Sequence, residues 1–250
     1  MGAGYDDGWS AVAAEWSELW AGSAGPAHDA LIAASGIGRG SRVLDVGCGS
    51  GEFLRELGRL GAVAAGVDPS PGMVDLARRV APLADVRAGD DEDLPWAAGS
   101  FDVVTAVNSL QFADDTLAAL AGFGRVAVPG GFVAVANWAE GALNDLDVVE
   151  AAIAEADDGE RPPDGDLRVA GGLEALLADA HLSVVASGLV AVPWEVPDED
   201  TLLRGVLLGE DPSVRRELEG VVLAAARPFR AGAGYRLLNH YRWAVARTAR

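Results

Sequence analysis

The chain has 250 residues, half of them hydrophobic, and sets 38 acidic side chains against 19 basic ones for a net charge of −19. That length is enough to bury a sizeable core, while the charge opposes nucleic-acid backbones and anionic membrane surfaces. Every basic residue is arginine, which excludes Schiff-base lysine and phosphate-loop lysine chemistry.

Cys48 is the only cysteine, so no disulfide forms within the chain and a reducing compartment suffices. The start, Met1 to Asp7, has no basic region followed by an apolar stretch, and no later run reaches the length of a membrane span. The expectation is a soluble cytoplasmic protein with neither nucleic-acid nor membrane partners; its oligomeric state is left open.

In chain order, Tyr5, Trp9, Trp16 and Trp20 come first, the three tryptophans at helical spacing, followed by a helix that contains His28. From Arg42 to Trp138, apolar runs of strand length alternate with helical stretches, the pattern of a parallel sheet covered on both faces. The predicted class is α/β. A strand over 43–47 leads to a helix over 51–60, and a strand from Ala62 to Val67 ends at Asp68, where Ser70 caps a helix opened by Pro71. A strand near 84–88, a polar loop from Gly89 to Ser100 and a buried strand from Phe101 to Val107 come next. Asp115 caps a helix over 116–127, Pro129-Gly130-Gly131 stops it, and Phe132–Ala136 makes the fifth strand. Beyond Trp138, helices are expected over 144–156 and 172–180, with a loop at Arg161–Gly165. Ser183–Val196 and Tyr235–Ala246 read as two long strands, separated by helices over 199–209 and 212–227.

The run Val43-Leu44-Asp45-Val46-Gly47-Cys48-Gly49-Ser50-Gly51-Glu52-Phe53 is a strand, a glycine turn and a helix start, so the backbone there can pass close beneath a ligand. A dinucleotide fingerprint is disfavoured, since the third glycine comes one residue early and Glu52 stands where that motif needs glycine. Asp45 would repel a pyrophosphate but attract an ammonium and a sulfonium, both of which S-adenosylmethionine carries. The segment resembles the first motif of the class I S-adenosylmethionine-dependent methyltransferases, hydrophobic-Asp-hydrophobic-Gly-x-Gly-x-Gly, and the resemblance continues over roughly the first 140 residues.

The resemblance implies a doubly wound, mostly parallel seven-stranded sheet with helices on both faces, an antiparallel last strand and helical lid segments. It divides a single domain into an N-terminal helical lid (1–41), a cofactor-binding core (42–138) and substrate-side insertions with closing strands (139–250). S-adenosylmethionine is the cofactor it implies, held by Asp45, Gly47, Cys48, Gly49 and Gly51. Asp68, at a strand's carboxyl end, can accept both ribose hydroxyl protons, and Pro69 and Met73 would lie against ribose and adenine. Gly89-Asp90-Asp91-Glu92-Asp93-Leu94-Pro95-Trp96 resembles the family's Gly-Asp-Ala-x-x-Leu-Pro-Phe segment. On that likeness Asp90 accepts from the adenine amino group and the backbone N–H of Asp91 donates to the ring. Asn108 would hold the methionine ammonium through its backbone carbonyl, its side chain mattering little.

Methyl transfer from a sulfonium mainly needs nucleophile, methyl and sulfur on one line, so few catalytic groups are required. Candidates bordering the acceptor are Gln111 and Phe112 after the fourth strand, and Tyr235, Asn239 and His240 in the last one. Gln111, Tyr235 and His240 are the candidate catalytic residues. His28 and His181 read as capping or core histidines, and three scattered histidines with one cysteine give no metal-ligand spacing. The tryptophans near the N-terminus either close over the ligands or anchor packing. The leading expectation is methyl transfer to a small-molecule acceptor. The alternatives are a cyclisation, elimination or rearrangement that keeps the cofactor, and, last, a partner-binding module.

Overall fold

The computed structural model describes residues 8–157, 159 and 163–250. Two helices, α1 (Gly8–Leu19) and α2 (Gly25–Ser35), precede β1 (Arg42–Val46). Then come α3 (Glu52–Arg59), β2 (Val63–Asp68), α4 (Pro71–Val80), β3 (Asp85–Ala88), β4 (Phe101–Val107), α5 (Thr116–Val126) and β5 (Ala127–Trp138). The remainder is α6 (Asp145–Ala156), α7 (Gly172–Asp179), β6 (Ser183–Ala191), β7 (Trp194–Val196), α8 (Glu199–Val206), α9 (Pro212–Ala226), β8 (Arg230–Ala231), β9 (Gly234–Leu237) and β10 (His240–Arg247).

The main sheet has seven strands in the order β3-β2-β1-β4-β5-β10-β6. β10 runs antiparallel between β5 and β6, and the other pairings are parallel. Because β1 and β4 are neighbours while β2 and β3 lie to one side, the strand order reverses between β1 and β4, which opens a crevice at their carboxyl ends. One face of the sheet packs Leu44, Val104 and Val135 against α5 and α7; the other packs Val43, Val103 and Ala134 against α2, α3 and α4. A third apolar cluster, with Trp194, Leu202, Val222 and Leu237, joins α8 and α9 to a small β7-β9-β8 sheet.

The predicted punctuation before α4 and α5 is present: Ser70 accepts from the Met73 amide, and Asp115 from those of Leu117 and Ala118. Three expectations are corrected. Pro129-Gly130-Gly131 lies inside β5, at a bulge where the register jumps from Ala127 opposite Phe101 to Phe132 opposite Val103. The Asp102 and Val128 carbonyls come within 2.9 Å of where a Gly131 Cβ would stand, so the bulge needs a residue without one. The two long closing strands are each broken, one between β6 and β7 and the other between β9 and β10. Their first halves and second halves belong to different sheets, and buried Asn239 and Asn144 stitch the crossing: Asn239 Oδ1 accepts from the Leu146 amide and Asn144 Oδ1 from that of His240. Among the described residues, no helix is long and apolar enough to cross a membrane.

Candidate active site

A cavity of about 440 Å³ opens at the carboxyl ends of β1, β2 and β4, and α1 and α2 form its roof. That volume is within the range of small-molecule sites. The β1–α3 loop is its floor. Gly47 has φ +69°, and a Cβ there would collide with Ser109, whose hydroxyl donates to the Val46 carbonyl at 2.7 Å. Gly49, at φ +51°, has open space where its Cβ would be, so the loop presents bare backbone to the cavity.

Asp68 and Asp45 flank that floor. Asp68 Oδ2 accepts from the Gly49 amide and Oδ1 from the Ser70 amide, both at 2.9 Å, which ties β2 to the glycine loop and leaves each oxygen a further lone pair. Burial raises its pKa, partly offset by those two amides. Asp45 is 3% exposed, and burial pushes its carboxyl up to about 6 against the opposing hydrogen bond from Thr105 Oγ1 at 2.8 Å. Cys48 between them is buried, and burial, Asp45 and Asp68 push its thiol up, so it stays protonated and unreactive.

The remaining predicted residues divide cleanly. Pro69, Met73, Asp90, Asp91 and Asn108 line the cavity with Asp45, Gly47, Cys48, Gly49 and Asp68. Asp91 is raised to about 7 by burial and by its hydrogen bond with Asp90, whose own carboxyl that bond lowers. Asn108 adopts φ +53°, a conformation Asn tolerates better than most residues, and its buried Oδ1 has no hydrogen-bond partner. Gly51 is not on the cavity wall. Its φ of +90° and the Ala77 Cα at 2.8 Å from a would-be Cβ make it the contact between the loop and α4.

Gln111, Tyr235 and His240 also lie off the wall. Gln111 is exposed. The Tyr235 hydroxyl accepts from Arg230 in the small sheet, at 3.1 Å. His240 Nδ1 meets the Leu143 carbonyl at 2.7 Å, and Asn239 serves the sheet crossing. His181, at φ +59° just past α7, ends that helix in a left-handed turn. Tyr5 and residues 161–162 of the predicted loop lie outside the described residues.

Three groups on the wall were missed. His28 is buried, stacks on Phe53 at 4.1 Å between centroids, and sets Nδ1 3.1 Å from Glu56 Oε2. Its spacing with Leu31 and Ser35, all buried on one stripe of α2, was the available signal. Tyr241, one residue beyond the predicted His240, is 3% exposed and faces the cavity, because alternate strand residues face opposite ways. Glu52 is held by the hydroxyls of Ser50 and Ser17 at 2.5 and 2.9 Å, and the latter brings α1 onto α3. Of the N-terminal tryptophans, Trp20 is chiefly an anchor, stacked on Trp194 at 4.0 Å with Nε1 donating to the Gly205 carbonyl. Trp9 and Trp16 meet edge to face at 5.3 Å, and Trp9 meets Phe112 likewise at 5.9 Å, all three on the cavity wall.

An open doubly wound sheet, a bare glycine floor at its switch point and an acid at or near the end of each of the first two strands define a Rossmann-like fold with a crevice at the strands' carboxyl ends. Comparison with known proteins narrows this. Residues 44–135 match the family model described as a methyltransferase domain. Over 104 residues the chain is 38% identical to malonyl-[acyl-carrier protein] O-methyltransferase of Yersinia pestis, covering 42% of this chain and 39% of that one. Over 103 residues it is 37% identical to ubiquinone biosynthesis O-methyltransferase of Azorhizobium caulinodans, covering 40% and 41%. The chain thus spans about two fifths of the length of these curated relatives. A crystal structure from Bacillus halodurans, provisionally named a methyltransferase, shares the fold with a TM-score of 0.63 at 14% identity, over 89% of this chain and 99% of that one.

Proposed function

We propose that the protein transfers a methyl group from S-adenosylmethionine to a small-molecule acceptor in the cytoplasm. The observation that carries this is the backbone floor at Gly49 set between two buried carboxylates, Asp45 and Asp68, in a cavity whose wall has, among the described residues, one histidine and no arginine. Such a site favours a ligand that is cationic near Asp45 and offers hydroxyls near Asp68. The orphaned Asn108 Oδ1 asks for a donor, which the ligand's ammonium provides. Among the described residues, His28, backed by Glu56, is the one wall group able to carry positive charge, and so the natural partner of the ligand's carboxylate. Asp90 and the Asp91 amide take the adenine edge, and Pro69 and Met73 its face.

When bound, S-adenosylmethionine supplies an electrophilic methyl carbon on a sulfonium. The chain's own contribution is to bind and aim: α1 and α2 cover the cavity, exclude water and hold the acceptor in line. A net charge of −19 weighs against nucleic-acid acceptors.

The test is incubation of the protein and S-adenosylmethionine with a panel of small amines, phenols and carboxylic acids, with S-adenosylhomocysteine as the readout. Accumulation that depends on one acceptor class supports the proposal. Tight cofactor binding with conversion of a substrate and no S-adenosylhomocysteine would replace it with a non-methylating reaction.

A further inference from the structure

Methylation of a hydroxyl or carboxyl releases a proton or consumes a negative charge, whereas an amine that has already lost its proton to solvent needs neither: its nitrogen lone pair forms the N–C bond as the C–S bond breaks with its electrons going to sulfur. Positive charge then moves from sulfur to nitrogen, and no base is needed in the step. Trp9 stands edge to face against both Trp16 and Phe112, at 5.3 and 5.9 Å and interplanar angles of 86° and 76°. All three rings line the cavity, those of Trp16 and Phe112 with planes nearly perpendicular to that of Trp9, and Trp16 is backed by Trp20 stacked at 6.1 Å, so a cation in the cavity can meet aromatic rings of differing orientation. Asp114 also lines this cavity, and among the described residues no arginine does. Tyr241 is 3% exposed and lines the cavity, yet its hydroxyl makes no hydrogen bond among the described residues, and burial pushes its phenol well above the ordinary value. It therefore stays a neutral hydroxyl free to accept an N–H.

From an aromatic corner, a carboxylate and an unengaged phenol that line one cavity, we infer that the methyl acceptor is an amine, bound so that the developing ammonium sits beside Trp9, Trp16 and Phe112. The inference rests on the function proposed above and names its substrate class. The aromatic corner also stabilises the transition state more than the neutral amine, which is the requirement for raising the rate. The named O-methyltransferase relatives do not speak against it, since Trp9, Trp16 and Tyr241 lie outside the residues that match the family model.

The test compares choline with 3,3-dimethylbutan-1-ol, its uncharged carbon isostere, by calorimetry and tryptophan fluorescence with S-adenosylhomocysteine present. Choline should bind at least about tenfold more tightly than the isostere, and weaken as salt is added. Trp9→Leu and Trp16→Leu should each weaken choline by about fivefold or more while Trp16→Phe retains most of it, with S-adenosylhomocysteine affinity unchanged throughout. Equal binding of the isostere, no saturation by choline, or tryptophan variants that leave choline unaffected would overturn the amine assignment and leave the methyltransferase reading standing. Failure of the wild-type protein to bind S-adenosylhomocysteine at all would overturn both.

Discussion

Asp45, next to last in β1, is almost completely buried, its carboxyl pushed up to about 6 by loss of solvent. Between a carboxylate's ordinary value of about 3.9 and that folded value, the native state keeps a proton that the unfolded chain has released. Stability therefore falls as pH rises through this window, by roughly 3 kcal/mol. Thermal melts of Asp45→Asn should lose this slope and exceed wild type above pH 6; parallel curves for the two proteins would show that Asp45 is not the group. A cation placed beside Asp45 reverses the preference, so calorimetry near pH 6 in buffers of different ionisation enthalpy should register proton release on S-adenosylmethionine binding, absent in Asp45→Asn. Gly49 offers a second check. Alanine there costs about 1 kcal/mol for its left-handed backbone, yet its methyl enters the space left open above the floor. Gly49→Ala should keep most of its stability in a melt and lose cofactor affinity by about tenfold or more. Full affinity would mean that no ligand approaches this backbone.

Among elements, the one that decides whether the cavity is closed is α1. Its Ser10 hydroxyl accepts from the Gly72 amide at 2.8 Å and meets Ser70 Oγ at 2.9 Å, so it shares in capping α4. A Cβ on Gly72 would stand 2.6 Å from the Ser10 Cα, a backbone atom that cannot step aside. Helix propensity alone says that Gly72→Ala stabilises α4 by up to about 1 kcal/mol; the packing says that it lifts α1. We expect a lower melting temperature, faster proteolysis within 8–19 and weaker cofactor binding, and a raised melting temperature would show α1 to be loosely held. This contact also marks where sequence reading stops. The strand, glycine turn, capped helix and strand-ending acid from Val43 to Pro71 were legible because each is a local signal. His28 and Tyr241 were not, because their roles depend on tertiary events. For His28 the event is the stacking of α2 on Phe53. For Tyr241 it is a strand break at Asn239 that sets which alternate residues of β10 face inward. Gly51 looked like its neighbours in the motif, and only the approach of Ala77 distinguishes a packing glycine from a floor glycine.

For the molecule as a whole, excess negative charge and an acid-lined crevice act in the same direction, favouring a cationic donor over its neutral product. The affinity of S-adenosylmethionine should exceed that of S-adenosylhomocysteine at low salt, and the gap should narrow as ionic strength rises. Equal salt dependence for the two would remove electrostatics from the account. Beneath every reading here is a single claim, that the crevice between β1 and β4 holds S-adenosylmethionine with Asp68 on its ribose. Titration calorimetry of S-adenosylmethionine into the wild-type protein and Asp68→Ala tests it most directly. The account predicts one-to-one binding by wild type and a loss of about tenfold or more in the variant; no binding by wild type, or unchanged binding by Asp68→Ala, would contradict it.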